Sequence, residues 1–308
     1  MNKKALFLPI FCSLLLLFTS CYAFNKNLDT SNSQITNIKN NDTVDINVDN
    51  SSKIKKDLAK PRTFSGKNLK NNTDGVPVLM YHSIDYEKDN ELRVPKEDFK
   101  HQMELLIKEG YTTLTLDELF NFLKKDNPIP EKSIVITLDD GYMDNYTNAY
   151  PILKELNINA TIFVITDLVD TNKNYLTSKQ LIEMSNNGID IQSHTASHED
   201  LPKLNYENQL KTLLDSKNFL ENLLKKDIEY VAYPFGNWNG ITLKAVQDAG
   251  YSMAVSTTGT WCFKKNGMYS LDRVYISSKY DLNEFKRRIS TPNYKYLLEK
   301  NVNLTPSM

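Results

Sequence analysis

Two adjacent carboxylates, Asp139 and Asp140, end a short run rich in β-branched apolar residues, Ile134-Val135-Ile136-Thr137-Leu138, and Gly141 follows them. Such a run reads as a strand buried on both faces. Like charges this close raise each other's pKa. A bound cation removes that penalty, and Gly141 lets the backbone turn so that both side chains face one cavity. A plain polar turn fits the same residues, so the choice rests on what lies downstream. There, His194 and His198 flank Thr195-Ala196-Ser197. Side chains four apart meet at one point through a helical turn or a tight loop. The chain has 4 histidines. His82 closes another apolar run, whereas His101 sits among charged residues and reads as a solvated surface group. Two neutral imidazoles and one carboxylate, with coordination positions left open, suit catalytic Zn²⁺ or a similar divalent ion.

Positioning these groups requires several strands that end on one face. Strands are expected at 76–82, 133–138, 160–165, 189–193, 229–233, 251–256 and 270–276. Helices are expected at 96–109, 116–124, 145–156, 178–186, 206–224, 240–249 and 281–289. The 206–224 helix carries Leu210, Leu213, Leu214, Leu220 and Leu224 on one stripe. Buried strands alternating with helices imply a parallel sheet covered by helices. About seven such units predict a closed or nearly closed α/β barrel, with a doubly wound open sheet as the alternative. No Gly-rich phosphate loop follows any strand, which counts against a nucleotide-binding sheet. In a barrel all strand C-termini share one mouth, so His82, Asp139, Asp140, His194 and His198 meet there.

The net charge of -1 and a pI near 6.5 give no electrostatic case for nucleic acid. Lys3 and Lys4 precede an uncharged apolar run over 5–18, the pattern of an export segment at 1–24. Cleavage after Ala23, lipidation at Cys21 and retention as a membrane anchor remain open, and each places the chain outside the cytoplasm. Residues 25–74, rich in Asn, Asp, Ser, Thr and Lys, read as a disordered polar tether. The folded domain is expected over 75–290, with a polar tail over 291–308. Cys12 and Cys21 belong to the export segment, leaving Cys262 without a partner and the domain without a disulfide framework. A monomer is expected.

Thr137-Leu138-Asp139-Asp140-Gly141, followed by His194-Thr195-Ala196-Ser197-His198, resembles the first two motifs of the polysaccharide deacetylases, carbohydrate esterase family 4. The resemblance extends over roughly 76–290. It implies a deformed (β/α) barrel of about seven parallel strands that removes acetyl groups from glycans with a divalent metal. It places that metal (zinc first, with cobalt, nickel or manganese as alternatives) on Asp140, His194 and His198, and makes Asp139 the general base. The third motif of that family, Arg-x-Pro-x-Gly, stands here as Ala232-Tyr233-Pro234-Phe235-Gly236, so its arginine is missing. Arg273 either supplies that guanidinium from another strand or makes a surface ion pair. The family's usual acid histidine lies near the C-terminus, but no histidine follows His198. His82, at a strand end, is the remaining candidate for the acid.

Loss of the arginine together with Met80-Tyr81-His82 resembles the branch that deacetylates the biofilm polymer poly-β-1,6-N-acetylglucosamine. Peptidoglycan or chitin oligomers are the alternative substrates. Amide hydrolysis needs an activated water, a held oxyanion and a proton for the leaving amine. The backbone N–H of Phe235 is the candidate oxyanion donor, and Tyr233, Trp238 and Trp261 offer flat faces to sugar rings or serve as packing residues. A non-catalytic glycan-binding barrel is the rival from another class. It would require a lost base or ligand, and all four residues are present.

Overall fold

The computed structural model describes residues 61–66, 68–257 and 259–294. The export segment, the tether up to residue 60 and the tail from 295 lie outside the described residues. In chain order, β1 (Leu69–Lys70) and β2 (Val78–Tyr81) precede α1 (Lys96–Lys108), β3 (Thr112–Leu114) and α2 (Leu116–Lys125). Then come β4 (Ile129–Pro130), β5 (Ser133–Leu138), α3 (Tyr150–Glu155), β6 (Thr161–Val164), α4 (Ser178–Asn186) and β7 (Asp190–Ser193). The chain continues through α5 (Tyr206–Leu224), β8 (Tyr230–Ala232), α6 (Gly240–Asp248), β9 (Met253–Val255), β10 (Val274–Tyr275) and α7 (Leu282–Ser290). Helix starts follow side-chain chemistry: Thr115 with Glu118, and Thr177 with Gln180, form capping boxes at α2 and α4.

The main sheet runs β10-β2-β5-β6-β7-β8-β9, with β3 beside the start of β5, and every pairing in it is parallel. Its two ends meet through the segment that leads into β10. Leu271 bridges to Val255 of β9, and Val274 pairs with Leu79 of β2. The Leu271 N–H donates to the Ala254 carbonyl at 3.2 Å, and the Ser256 N–H to the Leu271 carbonyl at 2.8 Å. Residues 271–275 therefore close the sheet on itself, in the deformed (β/α) barrel expected from the sequence.

Strand periodicity divides the core in two. Leu79, Tyr81, Ile134, Ile136, Leu138, Ile162, Val164 and Ile191 pack against helix residues such as Phe99, Met103, Leu181 and Leu213. The alternate positions Val78, Val135, Phe163, Tyr230, Ala232 and Val255 form a second cluster with Leu119 and Phe122 of α2. That second parity, continued past the strand ends, leads to polar groups: Val78 through Met80 to His82, and Val135 through Thr137 to Asp139.

Several sequence expectations shift. The strand expected over 270–276 is regular only at β10, and β1, β3 and β4 were missed as too short and too polar to show a period. Order begins before residue 75. Arg62 donates through Nε to Glu118 Oε1 at 2.7 Å and through Nη2 to Oε2 at 2.8 Å, while β1 pairs antiparallel with β4. An ion pair to the buried Glu118 and backbone pairing order this polar stretch, contacts its composition does not reveal. At the other end Tyr294 is fully buried and donates to the Gly259 carbonyl at 2.6 Å, so the domain extends past 290. The helix expected over 145–156 starts as a π-turn, Asn145–Ala149. Cys262 is buried and free, and among the described residues no helix is long and apolar enough to cross a membrane.

Candidate active site

The ends of β2, β5 and β7 deliver five polar side chains to one mouth of the barrel. A cavity of about 510 Å³ there is lined by His82, Asp139, Asp140, His194 and His198, with Met80, Leu92, Tyr142, Tyr233, Phe235, Thr257 and Tyr275 around them. The turn after β5 needs left-handed backbone at both Asp140 (φ 72°) and Gly141 (φ 76°), which swings consecutive side chains apart. Asp139 keeps the inward parity of Val135, and Asp140 turns toward the histidines.

The His194–His198 pair meets through a tight loop, the second of the two geometries its spacing allows. Thr195 (φ 65°) and His198 (φ 58°) are both left-handed. A β-branched residue in that region is strained. Thr195 is held there: its hydroxyl donates to Glu199 at 2.9 Å and accepts the His198 N–H at 3.1 Å. The ring centroids of the two histidines lie 4.9 Å apart. His194 Nδ1 contacts the Ala232 carbonyl at 2.8 Å. A carbonyl only accepts, so Nδ1 carries the proton and Nε2 presents a lone pair. Nε2 of His194 and of His198 lie 3.4 and 3.5 Å from Asp140 Oδ1.

Those three ligand atoms all fall within 4.8 Å of one another. Asp140 Oδ1 is buried and has no hydrogen-bond partner. Burial works to raise the Asp140 pKa, but His194, His82 and His198 outweigh it and hold the carboxyl well below its usual range. Burial and then His194 lower the pKa of His198, favouring neutral imidazole. For His194 burial pulls the same way, yet Asp140 and Asp139 prevail and the net shift is upward. An orphaned carboxylate oxygen facing two imidazole nitrogens fits a divalent cation in chemistry and in spacing.

Asp139 faces a different partner. Arg273, fully buried, forks onto it, Nη1 to Oδ1 at 2.7 Å and Nη2 to Oδ2 at 2.6 Å. Nη1 also reaches the Thr137 hydroxyl at 3.0 Å and Nε the Ser256 carbonyl at 2.8 Å. Burial opposes ionisation of Asp139, but the guanidinium decides the balance and its pKa falls below the ordinary value. Of the two fates open to Arg273 in the sequence, the surface ion pair is excluded. Arg273 does not line the cavity: it stands behind Asp139 and is not placed to touch substrate or oxyanion.

Burial is the main influence on His82 and lowers its pKa, with Asp139 and Asp140 opposing. Phe235 (φ 59°) is well exposed and meets the edge of His198 with centroids 4.6 Å apart. Tyr233 lines the cavity but is itself buried, its hydroxyl donating to the Tyr269 carbonyl at 2.8 Å. Trp238 does not line this cavity. Trp261 lies at the opposite pole beside Ser133, the first residue of β5, with its indole N–H donated to the Arg288 carbonyl. Sequence reading missed Leu92, Tyr142, Thr257 and Tyr275. Parity points to Tyr275, two residues beyond Arg273.

A family model described as polysaccharide deacetylase matches residues 126–254. A Bacillus subtilis protein carried under the polysaccharide deacetylase name, YxkH, is 42% identical over 202 residues, covering 66% of this chain and 71% of the relative. The chain belongs to the polysaccharide deacetylase family. A Staphylococcus aureus poly-β-1,6-N-acetyl-D-glucosamine N-deacetylase is 31% identical to this deacetylase over 197 residues, 60% of this chain and 68% of that one. The solved structure of the Streptococcus pyogenes deacetylase PplD, in complex with acetate, overlays with a TM-score of 0.68 at 31% identity. It covers 71% of this deacetylase and 100% of that chain. The cavity thus belongs to a member of a family that acts on acetylated glycans, and behind it Arg273 pairs with Asp139 while the position of the family's third-motif arginine holds Ala232.

Proposed function

We propose that this protein is a divalent-metal-dependent N-deacetylase of an extracytoplasmic N-acetylglucosamine polymer, with poly-β-1,6-N-acetylglucosamine as the first candidate substrate. The convergence of Asp140, His194 and His198 around a partnerless buried carboxylate oxygen carries the reading. The name of the S. aureus relative supports the substrate, and the export pattern at 1–24 supports the location. Asp140, His194 and His198 would hold the ion, zinc by ligand type. When bound, such an ion polarises the acetyl carbonyl and makes a water more acidic.

The remaining work falls to the chain's own groups. Asp139, kept ionised and fixed in direction by Arg273, takes the proton of the attacking water; each of its oxygens keeps a lone pair beyond the arginine bond. The Phe235 N–H, at the turn beside the cavity, donates to the oxyanion as the carbonyl becomes tetrahedral. His82 delivers a proton to the amine nitrogen as the C–N bond breaks. Acetate and a glucosamine unit result. Acetate release from β-1,6- and β-1,4-linked N-acetylglucosamine oligomers and from peptidoglycan, before and after chelator treatment and metal repletion, tests the reading. Release that survives complete metal removal refutes the metal role, and preference for a β-1,4-linked glycan refutes the substrate.

A further inference from the structure

His82 lacks the usual means of fixing a proton-donating imidazole. Its Nδ1 is buried without a hydrogen-bond partner, so no carboxylate or carbonyl orients the ring through that nitrogen. Orientation must come from packing and from the backbone that carries the ring. One segment holds that backbone. Asn145 Nδ2 donates to the His82 carbonyl at 2.9 Å. Asp144 accepts the Ser83 hydroxyl and the Ile84 N–H, each at 2.7 Å, and Asn148 Nδ2 donates to the Ile84 carbonyl at 2.8 Å. Asn145 is fully buried, and its amide also reaches Asp144 Oδ1 at 3.1 Å, so the two residues brace each other.

The bracing segment is the one that carries the chemistry. It follows Asp139, Asp140 and Gly141 directly and opens the π-turn Asn145–Ala149, a widened turn of the kind that recurs at functional sites. We infer that Asp144 and Asn145 are positioning residues that set the reach of His82 toward the leaving nitrogen, acting through its main chain. The inference rests on His82 as the general acid. Base, one proposed metal ligand and the support of the acid are then encoded within residues 139–145. A displacement of the β2 end relative to the β5 turn becomes a displacement of acid relative to base.

The test compares an N-acetylglucosamine oligosaccharide with 4-nitrophenyl acetate, whose leaving group departs without a proton. Asn145→Ala should lower kcat on the oligosaccharide by about 10²-fold, the loss expected from a misplacement on the order of 1 Å, with KM nearly unchanged. On 4-nitrophenyl acetate the loss should stay below about threefold. In a His82→Ala background, Asn145→Ala should add nothing, because the group it places is gone. Asp144→Asn, close in shape and poorer in acceptors, should give the same substrate dependence with a smaller loss, and it carries the test if Asn145→Ala folds poorly. Equal losses on both substrates, or losses that multiply with His82→Ala, overturn the inference while leaving His82 in place. A His82→Ala enzyme with full activity on the oligosaccharide removes the acid assignment, and the inference with it.

Discussion

Replacing Arg273 by Met strips the guanidinium bonded to Asp139 and leaves a carboxylate of 1% exposure without that counter-charge. Breaking a buried pair in this way costs about 3–5 kcal/mol, because the remaining ion stays desolvated. For a domain of this size that lowers the melting temperature by roughly 10 °C. The pH dependence inverts. In the native protein Asp139 has a depressed pKa. Its contribution is therefore complete above an unfolded value of ~3.9 and is lost as pH falls through the lower folded value. In Arg273→Met burial acts unopposed by the arginine, the folded pKa rises, and stability now falls as pH climbs through the window between the two values. The acid limb of kcat/KM moves to higher pH with it. Asp139→Asn/Arg273→Met should recover most of the stability, since no orphan charge remains, and none of the activity. Thermal melts and pH–rate profiles of the native protein and the two variants decide the matter. An Arg273→Met protein with a native melting temperature and an unmoved acid limb would show that the pair contributes nothing.

Two further outcomes follow from the site. His194→Ala and His198→Ala each remove one of three proposed protein ligands, and metal content after dialysis should drop at least tenfold in both, with less retained as falling pH protonates the remaining imidazole; undiminished metal in both variants removes the ligand assignment. Gly236→Ala should destabilise by about 2 kcal/mol or more, since Gly236 has φ 72° and a Cβ there would lie 2.0 Å from Thr257 Oγ1. Thr257 lines the cavity, so KM should rise as well, and a variant with native stability and KM contradicts the close approach.

What could be read in advance divides by the distance over which residues act. Asp139, Asp140, His194 and His198 announce themselves because each pair lies within one turn of chain, and His82 because strand parity carries it to the mouth. Long-range pairing leaves no such trace. Arg273 reaches Asp139 across 134 positions, and the sequence offered the surface as an equal alternative. Trp238 had the chemistry of a sugar platform, yet nothing local says which way the loop after Pro234 turns it. Asp144 and Asn145 went unnoticed because, apart from the Ser83 hydroxyl, their partners at residues 82–84 are main-chain groups, and any amino acid presents those.

The closing segment of the barrel supplies, last in chain order, the partner of the proposed base. Asp139, Asp140, His194 and His198 all precede residue 200, so the metal-site residues and the base are present once the N-terminal two-thirds of the chain has emerged. Arg273 arrives only with the strand that joins β9 to β2. A chain without residues 271–275 would lack the guanidinium that pairs with Asp139, and the proposed hydrolysis would wait for ring closure. Proteolysis between β9 and α7 would reverse that order, silencing the enzyme while the proposed metal ligands stay in place. Loss of activity and loss of metal would then occur as separate events.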